Sequence, residues 1–306
     1  MNKRDAAEKI KDLNELTGAG LKVESIKNDE ITLHGTFPAD VLARIIDEIK
    51  ATDSREGFLR AVLEGRFTEA EIQERAERYG FSAEKRYAAL MIEQSKAGAS
   101  ATLLSEIFAG DGDNLIMPIN DHSAIFIKEL SGKKEKDMLN KTAESIVSTV
   151  NTELMEKVRV SYGRPVTGVA QIQESYLQAK LAMEVAGIFY TERYVISCDE
   201  LGIGRLIAEL PVSLCELFMD EICGEKKKFS LSDDELKMIN SYFDRNLSLA
   251  ETARDLYIHR NTLTYRIEKL QKKTGLDIRN FDDAVTLKIA LMVDRYLEYK
   301  TANGKS

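Results

Sequence analysis

The segment Ser248–Gly275, SLAETARDLYIHRNTLTYRIEKLQKKTG, most narrows what this chain can fold into. It holds two helix starts, a tight turn between them and a helix stop. Ser248 and Glu251 have the S-x-x-E spacing of a capping box, in which each side chain satisfies a free backbone N–H at a helix start. A short helix follows, with Ala253 and Leu256 on one face. Tyr257 and Ile258 form the turn, and Ile258 is apolar where the angle between two helices needs filling. His259 is placed to cap a second helix running to about Lys273, and Gly275 supplies its C-terminal stop. Such a pair of helices is a helix-turn-helix.

On the second helix Leu263, Ile267 and Leu270 fall at i, i+4 and i+7, which makes one buried stripe. The opposite line carries Asn261, Tyr265 and Lys272, with Thr262 and Lys269 on one flank and Thr264 and Glu268 on the other. From His259 to Lys273 there are five basic residues (Arg260, Arg266, Lys269, Lys272 and Lys273) and one acid, Glu268. An excess of cations on one helix suits a phosphate backbone, so double-stranded DNA is the expected partner. Asparagine can pair bidentately with adenine, and threonine and tyrosine can reach thymine methyl groups or phosphates. Recognition helices read bases from their N-terminal residues. The base-reading candidates are therefore Asn261, Thr262 and Tyr265. Arg260, Thr264, Lys269 and Lys272 are placed for phosphate. Arg266 lies nearer the buried stripe, where it either fixes the helix or reaches a phosphate.

The chain as a whole is acidic, with a formal net charge of −8. Residues 231–306 hold 13 Lys/Arg and 12 Asp/Glu, so the negative charge sits in the rest of the molecule. An acidic body with one basic helix implies a local DNA contact, and it counts against a non-specific architectural DNA binder.

A length of 306 residues predicts two or three domains, and 43% hydrophobic residues suffice for real cores. The three cysteines, Cys198, Cys215 and Cys223, form no C-x-x-C pair and read as buried thiols. The N-terminus MNKRDAAEKIKDLNEL lacks the apolar core of a signal peptide, and no run approaches the ~20 apolar residues of a membrane span. The expectation is a cytoplasmic protein without a membrane partner.

Five regions follow along the chain. Residues 1–53 form a small α/β unit: a helix from Asp5 to Leu16, a hairpin of KVESI and EITLHG, and a helix after Pro38. The unit is short for a ligand-binding domain, which favours packing or dimerisation over a small-molecule effector site. Residues 54–85 are connecting helices, the second opened by a Thr68/Glu71 capping box. Residues 86–197 alternate strands and helices: YAALMIE, the helix ATLLSEIFAG, a hairpin of LIMPI and SAIFIKEL turning at Asn120-Asp121-His122, a helix Glu135–Glu156, the strand KVRVSYG and a helix Gln171–Gly187. This order favours one sheet with helices packed on it. Residues 198–230 are a helical connector, interrupted near Pro211 and ending in the linker GEKKKFS. Residues 231–306 form the all-α DNA-binding domain: a first helix capped by Ser232 and Glu235, the helix-turn-helix, and a long helix Asp282–Tyr299 that closes a small core with Leu287, Leu291 and Val293.

The run HRNTLTYRIEKLQKKTGLDIRNFDDA resembles the C-terminal domain of the PucR/CdaR-type transcription regulators, whose DNA-binding unit is a Fis-like helix-turn-helix. FLRAVLEGRFTEAEIQERAERYGF and SYGRPVTGVAQIQESYLQAKLAMEVA resemble the central, degenerate GGDEF-like domain of the same family. Together the resemblance covers Arg55 to Leu297. It implies an α+β multi-domain protein with a cyclase-like central domain, and metabolite-responsive control of a catabolic pathway. A diguanylate cyclase needs its substrate hairpin and carboxylates for two metal ions. Here the hairpin reads MPINDHSAIF, and Glu93 is the one carboxylate ending the first strand. Asp121 beside His122 falls short of a metal ligand set. A nucleotide-binding or enzymatic role is therefore disfavoured, with no catalytic residue, cofactor or metal expected. Sequence-specific DNA binding by a homodimer or higher oligomer is the leading expectation, because one recognition helix reads few base pairs.

Overall fold

The computed structural model describes the backbone of residues 22–27 and 30–34, and residues 54–94, 103, 104, 107, 114–224 and 229–304 in full. The helices expected at Asp5–Leu16 and after Pro38, most of ATLLSEIFAG and the lysines of the linker lie outside these residues. The chain divides into two compact units, one of residues 1–85 with 167–173, the other of residues 86–166 with 174–306.

In the first unit, strands β1 (Lys22–Lys27) and β2 (Glu30–His34) pair antiparallel as the expected hairpin, with a register shift between Val23 and Ser25. Helix α1 (Arg55–Leu63) starts at Ser54, whose side chain accepts from the Gly57 N–H, and buries Phe58, Leu59, Val62 and Leu63. Helix α2 (Glu69–Ala76) has the full Thr68/Glu71 capping box. Phe58 is stacked on Tyr79 at 4.7 Å, and the Arg55 guanidinium lies 4.7 Å over Phe81, which lends the cluster a charged cover.

The second unit contains the sheet. Its strands β3 (Arg86–Gln94), β4 (Leu115–Asn120), β5 (Ser123–Leu130), β6 (Val158–Tyr162) and β7 (Val195–Ser197) run in the order β4-β5-β3-β6-β7. All neighbours are antiparallel except β6 and β7, which are parallel. The short β7 carries no apolar run long enough to announce itself; it forms because β6 offers it an edge.

Strand β3 is central, and both of its faces are buried, which explains its near-continuous apolar sequence. On one face Ala88, Leu90 and Ile92 pack with Leu139, Ala143, Ile146 and Val150 of helix α3 (Glu135–Leu154). Arg86 fixes the start of this helix by a bidentate bond to Glu135, Nε to Oε1 and Nη2 to Oε2, both at 2.8 Å. That guanidinium holds the Glu135 carboxyl below the usual carboxylate range.

The other face meets helix α4 (Ile172–Phe189). The Ser175 Oγ accepts from the buried Ala89 N–H at 3.0 Å, and the Ser161 hydroxyl donates to the Ala179 carbonyl at 2.7 Å. Gly163 makes this approach feasible: a Cβ there would lie 1.9 Å from the Ser175 carbonyl oxygen.

Beyond the sheet, helices α5 (Gly202–Ala208) and α6 (Val212–Cys223) are separated at Pro211 as expected. Their apolar residues are not all buried. Ile207, Cys215 and Met219 are buried, whereas Leu206, Leu214 and Leu217 are exposed. Burial pushes the Cys198 thiol up to about 11 and raises Cys215 and Cys223, so all three are poor thiolates near neutral pH.

The C-terminal domain contains helices α7 (Asp233–Asp244), α8 (Leu249–Asp255), α9 (Arg260–Thr274) and α10 (Phe281–Ala302). Its core joins Met238, Ile239, Tyr242, Leu263, Ile267, Leu270, Ile278 and Leu287. Helix α10 does more than close this core. Ala290, Val293 and Tyr296 turn instead to Ile188, Ile207, Cys215 and Met219. Val293 therefore belongs to the contact with α5 and α6, which corrects its expected place in the small core. The reason is geometric: a helix buried on two sides has no single stripe to read. The Tyr296 hydroxyl donates to the Ala208 carbonyl at 3.1 Å, and Lys300 pairs with Glu184 at 3.1 Å.

Gly163→Ala should destabilise the sheet domain by roughly 3 kcal/mol, because backbone must move to admit the methyl group. Urea unfolding followed by circular dichroism checks this; an unchanged midpoint would show that β6 and α4 can separate freely.

Candidate nucleic-acid interface

Helix α7 starts at the Ser232/Glu235 capping box. Glu235 also accepts from the Lys273 ammonium at 2.6 Å, which ties the last turn of α9 to the first turn of α7. Burial acts to raise the Glu235 carboxyl, but Lys273 and Ser232 outweigh it and hold it below the usual range.

At its other end, α7 is clamped to α8 by Asp255, which accepts from the Ser241 hydroxyl at 2.7 Å and from the Arg245 guanidinium. These two bonds hold the Asp255 carboxyl below its ordinary value.

The start of α8 departs from the expected pattern. The Ser248 side chain accepts from the Glu251 N–H, but the Ser248 N–H donates to the Arg245 carbonyl at 3.0 Å. With that donor already satisfied, the reciprocal half of the capping box is not needed.

The turn closes by a Schellman arrangement. The Ile258 N–H donates to the Ala253 carbonyl at 2.9 Å, and the Tyr257 N–H to Arg254 at 3.1 Å. The position that usually holds glycine in this motif is Tyr257, with φ of 54° and 96% of its surface exposed. Ile258 packs against the domain core. His259 caps α9, its Nδ1 accepting from the Asn261 N–H at 3.2 Å, and Gly275 ends it in the left-handed conformation.

Burial of Leu263, Ile267 and Leu270 fixes the rotation of α9. Asn261, Thr262, Tyr265, Arg260, Arg266, Lys269 and Lys272 are consequently all exposed. Thr264 is half-buried, and its hydroxyl donates to the Arg260 carbonyl at 3.1 Å, so that proton is already engaged within the helix. Arg266 stands out in solvent and makes no ion pair among the described residues. The same holds for Arg260, Lys269 and Lys272. Glu268, the lone acid of the helix, lies 3.9 Å from Arg279. Arg279 itself is held by Asp277 through two bonds of 2.8 Å. The result is a polar face whose free cations flank Asn261 and Tyr265.

Two further residues of the pair are exposed. Arg254 stands in the last turn of the first helix, which in such motifs crosses the DNA backbone. Tyr257 projects from the turn just before the N-cap. Arg254 was detectable as a basic residue in the last helical turn. Tyr257 was not, because an aromatic residue in a turn ordinarily reads as buried.

Tyr257→Gly should stabilise the chain by about 0.5–1 kcal/mol, since the left-handed conformation costs a non-glycine residue roughly 1–2 kcal/mol and glycine's extra chain entropy returns part of that. Thermal melting measures it; a loss of stability would mean that the ring makes contacts worth more than the strain.

Residues 236–293 match the family described as the PucR C-terminal helix-turn-helix domain, and residues 64–185 match the GGDEF-like domain. The carbohydrate diacid regulator of Escherichia coli (strain K12) is 29% identical over 170 residues, 53% of this chain and 42% of that protein. The purine catabolism regulatory protein of Bacillus subtilis (strain 168) is 23% identical over 146 residues, 46% of this chain and 27% of that protein. The matched stretch thus spans less than half of either relative. The crystal structure of a regulator of polyketide synthase expression from Bifidobacterium adolescentis superposes with a TM-score of 0.34 at 18% identity, covering 78% of this chain and 97% of that one. Along the chain, a match to the GGDEF-like domain is thus followed by a match to the PucR C-terminal helix-turn-helix domain.

Proposed function

We propose that the chain is a sequence-specific transcription regulator of a metabolic pathway, acting on cytoplasmic DNA as a dimer through α9. The observation that carries this reading is the exposed face of α9: Asn261, Thr262 and Tyr265 between Arg260, Arg266, Lys269 and Lys272, none of the four cations ion-paired among the described residues. Asn261 and Thr262 stand in the first turn, where a recognition helix meets base edges, and the cations suit the flanking phosphates. Arg254 and Tyr257 extend the same phosphate contact to the preceding helix and turn. The names of the two relatives, both regulators, agree with this role.

We read the central domain as a scaffold or signalling module rather than an enzyme. Its hairpin turns at Asp121 and His122, and the Gln94 side chain donates to the Asp121 carbonyl at 3.0 Å, so this turn is bound to the sheet. Among the described residues, no group of three or more His, Cys, Asp or Glu is arranged to hold a metal ion. No described helix is long and apolar enough to cross a membrane.

Selection of genomic fragments on the full-length protein, then anisotropy titration at several salt concentrations, tests the reading. The selected site should bind at least about 10³-fold more tightly than random DNA. Asn261→Ala should cost about 1–3 kcal/mol on that site and relax specificity. Lys272→Ala should weaken all sequences alike and reduce the salt slope by about one. Equal affinity for selected and random DNA would mean an architectural binder instead. Dimerisation is checked separately by light scattering with and without the selected DNA; a monomer in both samples would overturn it.

A further inference from the structure

The segment between α9 and α10 is short and firmly held. Ile278 is fully buried in the helix-turn-helix core, and the Asp277 N–H donates to the Asp283 carboxylate of α10 at 2.9 Å. Arg279 is thereby delivered to the side of α9. Its Nε and Nη2 donate to the two Asp277 oxygens at 2.8 Å each, which fixes the plane of the guanidinium. From that position Nη2 also donates to the Gln271 Oε1 at 3.3 Å, and Nη1 stands 3.9 Å from the Glu268 Oε1. The contact with Glu268 is long, but the guanidinium that makes it is placed by three shorter bonds. The bonds to Asp277, with a further pull from Glu268, hold the guanidinium above its ordinary value.

Glu268 has a second cation within its reach along the helix. Lys272 follows it by four residues, and an acid four residues before a base is the favoured order for a pair on one helix face. Both side chains are exposed, and Glu268 is the one acid of α9. Yet Lys272 makes no ion pair among the described residues, and the Glu268 carboxylate lies toward Arg279 instead. Lys272 is one of the cations that suit a phosphate. A pair with Glu268 would occupy that cation and set a carboxylate beside the DNA backbone.

We propose that Arg279 is a positioning residue for the recognition helix: it draws Glu268 toward the α9–α10 segment and keeps Lys272 open to phosphate. Arg279 acts through Glu268 and need not touch DNA itself. Its consequence for DNA affinity rests on the proposed function; the placement of Glu268 and Lys272 does not, so the two fail separately.

The test compares the native chain with Arg279→Gln, Glu268→Gln and the double variant, all as full chains. Without DNA, the ε-methylene resonances of Lys272 in protein with isotope-labelled lysine report on its partner. They should stay in place on Glu268→Gln in the native background and move on the same substitution in the Arg279→Gln background. With the selected fragment and with a random duplex at low salt, Arg279→Gln should cost at least about threefold in affinity for both. The loss should shrink as salt rises, and it should vanish once residue 268 is glutamine. An equal loss in both backgrounds would overturn the proposal, since Arg279 would then meet the phosphate itself or merely brace the fold. So would an Arg279→Gln protein of unchanged affinity. A Lys272 resonance that follows Glu268→Gln in the native background, or that ignores it in both, would overturn it equally. The native-background comparison stands even if Arg279→Gln fails to fold. If the native chain binds no DNA, the proposed function falls, and the Lys272 resonances alone decide the placement.

Discussion

One helix is buried on two sides, and much of the second unit depends on that constraint. Helix α10 gives Leu287 and Ala284 to the helix-turn-helix core and Ala290, Val293 and Tyr296 to the contact with α5 and α6. At about 25 cal/mol per Å² of apolar surface, each such residue contributes on the order of 1–3 kcal/mol to whichever core it enters. Cutting the chain at residue 231 would leave the second set in water. The helix-turn-helix domain is thus packed on the rest of the second unit through α10.

Polar bonds tie both helices of the pair to α7 and its C-terminal end. Lys273 and Glu235 tie the last turn of α9 to α7, and Asp255 ties the preceding helix to Ser241 and Arg245. Exposed ion pairs of this kind contribute little stability one by one, typically below 1 kcal/mol. Their effect here is orientation. Lys273 and Arg279 are engaged internally, which leaves Arg260, Arg266, Lys269 and Lys272 as the cations of α9 that make no ion pair among the described residues.

The sheet domain shows how a fold can keep its architecture while its hairpin changes chemistry. Strand β3 is buried on both faces, so its apolar sequence is set by α3 and α4, and the close approach at Gly163 locks α4 to β6. None of this depends on the residues at the β4–β5 turn. Asp121 and His122 contribute to a turn and not to the core.

The amino-acid sequence alone determined the elements whose signals are local. Caps at Thr68, Ser232 and His259, the stop at Gly275, and the i, i+4, i+7 stripe of α9 rest on neighbouring residues and on the period of one helix. The α+β class and the face of α9 that meets solvent follow from them. The folded structure decided which of several allowed partners each remaining residue takes. The short strand β7 exists because β6 offers an edge. The second half of the Ser248 box is replaced by a carbonyl from Arg245, and Thr264 spends its proton on Arg260. Tyr257 holds a left-handed turn that glycine would normally supply, and Val293 belongs to a core shared with α5 and α6. For β7 and Val293 the deciding contact joins residues far apart in the chain, which no local pattern encodes; for Ser248, Thr264 and Tyr257 it is a short-range bond chosen among several that the same residues allow.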